Sequence, residues 1–190
     1  MKKGLLFRAV AVLAAFALLM GVFAIPALAA IPSGAANEVV RLVNAERAKE
    51  GMSALKSDYS NLNKAAKKRA SELPLRFNSS HERPDGRPWH TVLEEYNVRY
   101  TIAGENIAYG YRTAAHVVQD WMASPTHREN IMNKNFTHIG VGIHEKDNVL
   151  YWAQEFVRKP PISFRDIFFG ALQILSLPYR LLTWCLRLIF

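Results

Sequence analysis

Apolar segments at both ends of the chain constrain its fold more than any other feature. One runs from Ala9 to Ile25, and the second fills most of 162–190. The globular part of the protein is therefore expected between these two segments. A chain of 190 residues then has room for one domain of about 100–150 residues with a sizeable core, and a second full domain does not fit.

The first apolar segment has the pattern of a secretory signal peptide, which we assign to residues 1–30. Lys2, Lys3 and Arg8 come before or at the start of the apolar run, and the small residues "ALAA" close it. Cleavage is expected at the end of that stretch, followed by a short linker over 31–35, so the protein is predicted to be exported. An uncleaved membrane anchor is the alternative, because the run approaches the length of a membrane span.

The C-terminal segment, 159–190, is predicted to be an amphipathic apolar tail. Its polar residues recur at intervals of seven, three, four, three and four, which places a narrow polar stripe on an apolar helix: Asp166, Gln173, Ser176, Arg180, Thr183 and Arg187. The longest stretch without a charge, 167–179, is short for a bilayer span. We expect an interfacial helix or hairpin that meets a membrane surface through 162–190. The alternatives are a helix packed on a partner or on the chain's own domain, and a true span.

Charge and cysteine content narrow the class of protein further. The net charge of +8 falls to about +5 without the signal peptide, which suits anionic envelope polymers or lipid headgroups and equally suits ordinary solubility. The densest basic run, "KAAKKRA" at 64–70, wraps around a helix and indicates a solvated face, so no nucleic-acid partner is predicted. The single cysteine, Cys185, lies in the tail, so the domain has no internal disulfide and depends on its core.

The middle of the chain, 36–158, changes from helical periodicity to a period of two. Helices are expected in five places: after the cap residue Asn37, from Asp58 to Leu73, over 89–96, after the cap residue Thr113, and from Ser124 and Pro125 onward. Apolar residues then alternate over 138–144 and over 149–157, which predicts an antiparallel hairpin. Together these elements predict an α+β layered domain.

No strong catalytic signature occurs in the sequence, which lacks a helical HExxH zinc motif, a G-x-S-x-G elbow, a phosphate-binding glycine loop and a paired-cysteine metal site. What remains are three histidines and one glutamate where loops meet elements: His81, Glu105, His127 and His138. Glu105 lies in "AGENIAYGY", 103–111, which shows no clear helical or strand period. Imidazoles with a carboxylate suit zinc or a similar divalent cation, and without a metal they suit a general acid and base pair. Taken singly, each of these residues is more often structural.

Four longer motifs occur in a fixed order: "LVNAERAKEGMSAL" (42–55), "AGENIAYGY" (103–111), "WMASPTHRENIMNKNFTHIGVGI" (121–143) and "YWAQEF" (151–156). Together they resemble the CAP superfamily in its bacterial, cysteine-free form. This superfamily shares the SCP domain and includes cysteine-rich secretory proteins, insect venom antigen 5 and plant pathogenesis-related proteins. The resemblance covers about 36–158 and implies an α-β-α sandwich with a central antiparallel sheet and a wide cleft lined by His and Glu.

The resemblance also implies which residues line the cleft. His81, in "SSHERPDG", matches the family's first cleft histidine, and His127, in "SPTHRENIM", matches the histidine that bacterial members carry. Glu105, in "GEN", matches the family's glutamate, with Asn106 as its orienting partner. Asn44 and Arg47 match the first-helix pattern and are interpreted as structural.

Two positions of the implied cleft depart from the family pattern. Ser124 stands where animal and plant members tend to have a second glutamate, and His138 stands where bacterial members often have an acidic residue. The cleft is thus expected to be rich in imidazoles with one firm carboxylate. Such a cleft favours cation binding, with His81, His127 and Glu105 as the metal ligands, and weakens a mechanism with two carboxylates.

Family membership does not supply an activity, because members have been associated with lipid binding, protease-like activity and signalling or defence. The first hypothesis is an exported binding module that holds a lipid or cell-envelope component, assisted by a divalent cation such as zinc. The second is a hydrolase in which His81, Glu105 and His127 hold a metal or activate water. A role in protein interaction alone is the third, so whether the protein is an enzyme stays open.

Overall fold

The protein folds as an α+β domain, and the computed structural model describes residues 31–161. The predicted signal peptide, 1–30, and the membrane-associated part of the predicted tail, 162–190, lie outside the described residues. Eight elements follow one another within 31–161: α1 (Ala35–Lys49), α2 (Ser60–Glu72), α3 (Thr91–Glu95), β1 (Ala103–Tyr109), α4 (Ala114–Ala123), α5 (Pro125–Ile131), β2 (His138–Lys146) and β3 (Val149–Val157).

All five predicted helices form, and the first two begin differently from the prediction. α1 begins at Ala35, ahead of Asn37, because Gly34 adopts a left-handed conformation with φ 77° and turns the chain into the helix. α2 begins at Ser60, two residues after Asp58. Neither helix start carries a side-chain cap. Their positions are therefore set by packing rather than by capping.

The third helix begins at Thr91, two residues later than predicted, and the last two helices begin as predicted. The hydroxyl of Thr113 accepts a hydrogen bond from the backbone N–H of His116 at 3.2 Å, which caps α4. Ser124 precedes α5, and Pro125 occupies its first position, where proline's missing N–H costs nothing. Between residues 31 and 161 there is no helix of the length and apolar character needed to cross a membrane.

The three strands of the described region form one antiparallel sheet in the order β1, β3, β2. The β2 and β3 hairpin confirms the prediction from alternating residues. β1 was not predicted, because Gly104 to Ala108 are all buried and a strand covered on both faces does not alternate between polar and apolar residues. In register, Glu105 of β1 and Gly140 of β2 lie opposite Glu155 of β3.

Helices cover both faces of the sheet, so the fold is the expected α-β-α sandwich with a central antiparallel sheet. On one face, Trp121 of α4 and Ile131 of α5 belong to an apolar cluster with Trp152 of β3, and α1 packs into the same cluster. On the other face, Leu62 of α2 forms a second cluster with Val157 of β3, and α3 packs against it.

The backbone of α2 lies directly on β2. A Cβ atom added at Gly142 would lie 2.0 Å from the carbonyl oxygen of Ala66, and one at Gly140 would lie 2.7 Å from that of Leu62. Glycine is therefore required at both positions for this close approach. Arg69 follows Ala66 by three residues on the same face of α2, so this packing carries Arg69 over the middle of the sheet.

Asn44 and Arg47 of α1 are structural, as interpreted from the sequence. The side chain of Asn44 makes two hydrogen bonds with the backbone of Leu55, at 3.0 and 2.8 Å. The buried Arg47 donates from Nη1 to the carbonyl oxygens of Ile131 at 2.7 Å and Asn133 at 3.0 Å. It thereby satisfies carbonyl groups at the C-terminal end of α5 and fixes that helix to α1.

Candidate functional site

Glu105 lies in the centre of the sandwich, on the sheet face covered by α2. Its carboxylate is balanced by Arg69, which donates from Nε to Oε2 at 2.6 Å and from Nη2 to Oε1 at 3.4 Å. The side chains of Arg69 and Glu105 are 0% and 1% exposed. A buried carboxylate needs such a partner, because the free energy of removing it from water is not otherwise recovered.

His81 connects this buried ion pair to the surface of the protein. Its Nδ1 lies 2.7 Å from Oε1 of Glu105, and its side chain is 25% exposed. With Nδ1–H directed at the carboxylate, the neutral ring presents an unprotonated Nε2. The backbone of His81 is left-handed, with φ 56°, and its carbonyl oxygen accepts from Nη2 of Arg69 at 2.8 Å. Arg69 therefore positions both the carboxylate and the strained backbone of the histidine.

The loop that carries His81 is held in place by a second buried arginine, Arg83. Its guanidinium donates to both carboxylate oxygens of Glu72, at 3.0 and 2.6 Å, and to Glu95 at 2.9 Å. It also donates to the hydroxyl of Thr91 at 3.2 Å. The turn-rich loop at 78–88 is thus fixed to α2 and α3, which gives His81 a defined position.

Glu155 lies directly opposite Glu105 in the register of β1 and β3, so both side chains are on the same sheet face. The residue is fully buried, and in its protonated form it can donate a hydrogen bond to Glu105. Burial first, and then the negative charge of Glu105 and the hydrogen bond with it, raise the pKa of Glu155 well above its usual range. Its surroundings therefore favour the neutral, protonated form of Glu155.

Asn106 occupies the opposite face of the sheet and does not orient Glu105, in contrast to the expectation. Its amide donates to the carbonyl oxygen of His127 and to Oε1 of Gln154, both at 3.0 Å. Its own oxygen accepts from Nδ2 of Asn130 at 2.9 Å. Asn106 instead ties β1 to α5 and thereby positions His127.

His127 lies in the first turn of α5, and its ring lines a groove beside the cluster of Arg69, Glu105 and His81. Burial, and to a lesser degree the charge of His81, hold the pKa of His127 below its ordinary value. The two imidazoles are thus close enough to repel each other when charged. The buried Nδ1 of His127 has no hydrogen-bond partner among residues 31–161.

The groove has a volume of about 420 Å³ and is mainly aromatic. Its lining consists of Phe77, Ile107, Ala108, Tyr109, Tyr111, Asp120, Trp121 and His127. Phe77 and Tyr109 are 41% and 55% exposed, and their ring centroids lie 4.7 Å apart in an edge-to-face contact. The groove therefore combines aromatic rings with polar groups, among them His127, Asp120 and the hydroxyls of its tyrosines.

Two residues of the predicted cleft do not join this cluster. Ser124 lies at the junction of α4 and α5, where its hydroxyl is 3.3 Å from that of Thr126. His138 begins β2 opposite Val157, with β3 between it and Glu105. Its Nε2 lies 3.3 Å from a carboxylate oxygen of Asp58, so it pairs at the β2 edge of the sheet rather than with Glu105 on β1. The structure thus brings together His81, Glu105 and His127 but not His138.

The donor atoms of the predicted metal ligand Glu105 are already engaged within the protein. Oε1 of Glu105 is bonded by His81 and Oε2 by Arg69, so the carboxylate is not free to bind a cation in this arrangement. In the part of the chain that the structure describes, no three His, Cys, Asp or Glu side chains are grouped as metal ligands. A site with Glu105 as a direct ligand therefore does not fit.

Sequence reasoning missed Arg69 and Glu155, although each gives a signal. Arg69 follows Leu62, Ala65 and Ala66 on the apolar face of α2, where a charged residue indicates a buried partner. The interpretation of 64–70 as a solvated face was thus wrong for Arg69. Glu155 lies among the buried residues of β3, so it occupies a core position in a predicted strand.

Helices on both faces of an antiparallel sheet, together with a histidine and glutamate beside a groove, define the class of SCP-domain proteins. The family model described as "CAP: Cysteine-rich secretory protein family" matches residues 40–156. The chain therefore belongs to this family, as its motifs suggested.

Relatives in sequence and structure agree with this assignment. The chain is 41% identical over 123 residues to the uncharacterized protein YkwD of Bacillus subtilis, a match that covers 64% of this chain and 46% of that protein. An extracellular SCP-domain protein from Bacillus anthracis has a TM-score of 0.61 and 28% identity, and the match covers 67% of this chain and 41% of the other. The match thus spans less than half the length of these relatives. An outer surface protein of Borrelia burgdorferi shares the fold, with a TM-score of 0.59, 23% identity and coverage of 65% of this chain and 92% of its own.

Proposed function

We propose that this chain is an exported binding module that holds an amphipathic lipid or cell-envelope component in the groove beside His81, Glu105 and His127. The observation that carries the proposal is the aromatic groove of about 420 Å³ with two exposed rings, Phe77 and Tyr109. Ligand sites are concavities that combine apolar surface with placed polar groups, and this groove offers aromatic rings and polar groups side by side.

The exposed rings are the first part of the argument. A soluble domain gains free energy by burying such rings, so two neighbouring exposed aromatics at the mouth of a groove favour a site for apolar groups. Tyr151 stacks on Tyr109 with ring centroids 6.1 Å apart, which extends the aromatic surface beyond the groove. An acyl chain or the apolar side of a sugar would cover this surface.

The polar groups of the groove supply the second part. The pKa of His127 is lowered, so its ring is neutral near pH 7 and offers a hydrogen bond rather than a charge. Nδ1 of His81 is held by Glu105, and a quarter of the His81 side chain is exposed. These groups suit a ligand with uncharged hydroxyl, amide or ester groups next to its apolar part.

Both the sequence and the solved relatives support export. The first 30 residues have the pattern of a signal peptide, and solved relatives are described as an extracellular protein and an outer surface protein. The amphipathic pattern of 162–190 suits association with a membrane surface. Together these observations favour a ligand outside the cytoplasm.

The test is a titration of the chain with two probes, a fluorescent 16-carbon fatty acid and a disaccharide-peptide fragment of peptidoglycan. The double variant Phe77→Ser/Tyr109→Ser is expected to raise the Kd of the bound probe at least about tenfold, since exposed aromatic anchors dominate such sites. Ile102→Ser is the matched control, because Ile102 is a similarly exposed apolar residue outside the groove. If neither probe binds the wild-type chain, or if the control weakens binding equally, the proposal fails.

Whether a bound cation assists ligand binding is tested separately. With Glu105 already bonded, the protein ligands of a cation would be His81 and His127. Elemental analysis of the purified chain, beside the variant His81→Asn/His127→Gln, measures it directly. Stoichiometric zinc that is lost in the variant supports assistance, and absence of metal from both limits the proposal to direct ligand binding.

A hydrolase is the second candidate function, and the contact of 2.7 Å between His81 and Glu105 favours it. A histidine oriented by a buried carboxylate is the arrangement of a general base. His81→Asn is the sharper variant for this test, because asparagine tolerates the left-handed backbone at this position. If the wild-type chain hydrolyses peptide, ester or peptidoglycan substrates and this variant retains full turnover, His81 is not the base.

A further inference from the structure

We infer that the end of the domain at which the chain leaves β3 binds the phosphate groups of anionic lipids through Lys56, Lys134 and Lys159. This inference goes beyond the groove and concerns the opposite end of the sheet. It rests on the membrane association of 162–190 in the proposed function. Its test reads out lysines outside the groove, so the two can fail separately.

A second cavity, of about 540 Å³, opens where β2 begins and β3 ends. Lys56, Lys134 and Lys159 line it together with backbone and side chains from three segments of the chain. All three lysines are exposed. Lys159 holds its ammonium 4.5 Å from the ring centroid of Tyr59. Three lysines thus line one concave surface.

The charge of this cavity remains positive when its other groups are counted. The one carboxylate in the lining is Asp58, and Nε2 of His138 lies 3.3 Å from it. Burial holds the pKa of His138 below its usual range, so the ring adds no fixed positive charge at neutral pH. Three lysines against one aspartate leave a surface that attracts a phosphate.

The position of the cavity indicates which phosphate it meets. Pro160 and Pro161 are part of its lining, and the amphipathic segment 162–190 follows at once in the sequence. A residue extends the chain by at most about 3.6 Å, so a membrane that holds 162–190 begins close to this cavity. Lysines next to a membrane segment are attracted to anionic headgroups. The cavity therefore faces lipid phosphate rather than a soluble anion.

The register of the sheet gives this inference a consequence for the groove. Ala103 of β1 lies opposite Val157 at the basic end, and Tyr109 lies opposite Tyr151 at the other end. A strand of this length spans roughly 20 Å. Docking of the basic end on a bilayer therefore holds the groove at most about that far from the lipid surface.

The experiment measures acylation of lysines by a membrane-impermeant reagent, with mass spectrometry of the full chain bound to vesicles. Phosphatidylcholine vesicles are compared with vesicles that also contain phosphatidylglycerol at about one lipid in three. We expect acylation of Lys56, Lys134 and Lys159 to slow about fivefold with phosphatidylglycerol. Three exposed lysines of the same molecule serve as internal controls and should change less than twofold: Lys64, Lys67 and Lys146.

A variant pair makes the same test by vesicle flotation. Lys56→Gln/Lys134→Gln/Lys159→Gln should lower the preference for phosphatidylglycerol vesicles at least about tenfold. The control, Lys64→Gln/Lys67→Gln/Lys146→Gln, removes the same charge and should lower it less than threefold. Circular dichroism verifies that both triple variants remain folded.

Three outcomes would overturn the inference. The first is equal acylation of the cavity lysines on both kinds of vesicle while the chain is bound to both, which would leave membrane association of 162–190 intact. The second is an equal loss of preference in the two triple variants. The third is protection of the cavity lysines by free inorganic phosphate at matched ionic strength, with no further effect of phosphatidylglycerol.

Discussion

Arg69 and Glu105 form a buried ion pair between α2 and β1, with Nε 2.6 Å from Oε2. The same arginine donates to the backbone carbonyl of His81 at 2.8 Å. One side chain from α2 thus sets the position of the carboxylate and of the histidine. The candidate site is therefore part of the core of the sandwich rather than an addition to its surface.

Replacement of Arg69 by methionine should strongly destabilise the fold. Arg69→Met leaves the carboxylate of Glu105 buried without its partner, which is expected to lower the free energy of unfolding by about 3–5 kcal/mol. Urea unfolding of the purified chain measures this change. Arg76→Met is the control, because Arg76 pairs with Glu82 at the surface and such a pair contributes about 0–1 kcal/mol. Equal losses in the two variants would contradict the structural role of Arg69.

Replacement of Glu155 by glutamine should change how stability depends on pH. The folded pKa of Glu155 is raised, so below its ordinary value of 4.5 both the folded and the unfolded chain carry the proton. Above that pH the unfolded chain loses the proton and the folded chain keeps it. Glu155 therefore lowers stability by up to about 1.4 kcal/mol per pH unit until the pH passes its folded pKa.

Glu155→Gln removes this titration, so its stability relative to wild type should rise from pH 4 to pH 7. Urea unfolding at several pH values follows the difference. Glu129→Gln is a matched control at an exposed position and should show no such trend. A difference that is independent of pH would show that Glu155 is ionised in the folded protein.

The titration of His127 should depend on His81. The pKa of His127 is lowered by burial and by His81, so its midpoint in NMR titration is expected below 6.5. His81→Asn removes the repulsion and should move the midpoint of His127 upward. His144→Gln, at the far end of β2, should leave it unchanged. An unchanged midpoint in His81→Asn would mean that the two rings do not interact.

Substitution of Gly142 by alanine should separate α2 from the sheet. The new methyl group would meet the backbone of Ala66 at 2.0 Å, and a backbone atom within a helix cannot yield as a flexible side chain does. We expect a loss of stability at the upper end of about 1–3 kcal/mol, measured by urea unfolding. Gly51→Ala is the comparison, because Gly51 has a positive φ and open space, so only about 1 kcal/mol of backbone strain is expected. A smaller loss at Gly142 than at Gly51 would refute this account.

Sequence patterns predicted most of the elements because those patterns are local. Thr113 and Pro125 mark helix starts through their own hydrogen-bonding and backbone preferences, and the alternation over 138–144 and 149–157 reflects strands with distinct faces. β1 escaped prediction because its residues are covered on both sides by helices. The helices that bury β1 are distant from it in sequence, so the local periodicity of β1 does not reveal them.

The residues of the candidate site were likewise predicted only in part from the sequence. Motif resemblance selected His81, Glu105 and His127, which the structure brings to one region, and it also selected His138, which lies two strands away from Glu105. Asn106 was expected beside Glu105, but neighbours in a strand point to opposite faces, so it positions His127 from the other side of the sheet.

By itself, the sequence determined the family, the helices with local caps, the β2 and β3 hairpin, and the pattern of two apolar ends around one domain. Only the tertiary structure decided that Arg69 balances Glu105, that Glu155 is buried beside Glu105, and that three lysines line one cavity where the chain leaves β3. Local patterns reflect the conformational preferences of a segment and the contacts between residues that are close in sequence. The charge state and the partner of a buried side chain depend instead on which distant segments exclude water from it. Only tertiary packing determines which segments those are.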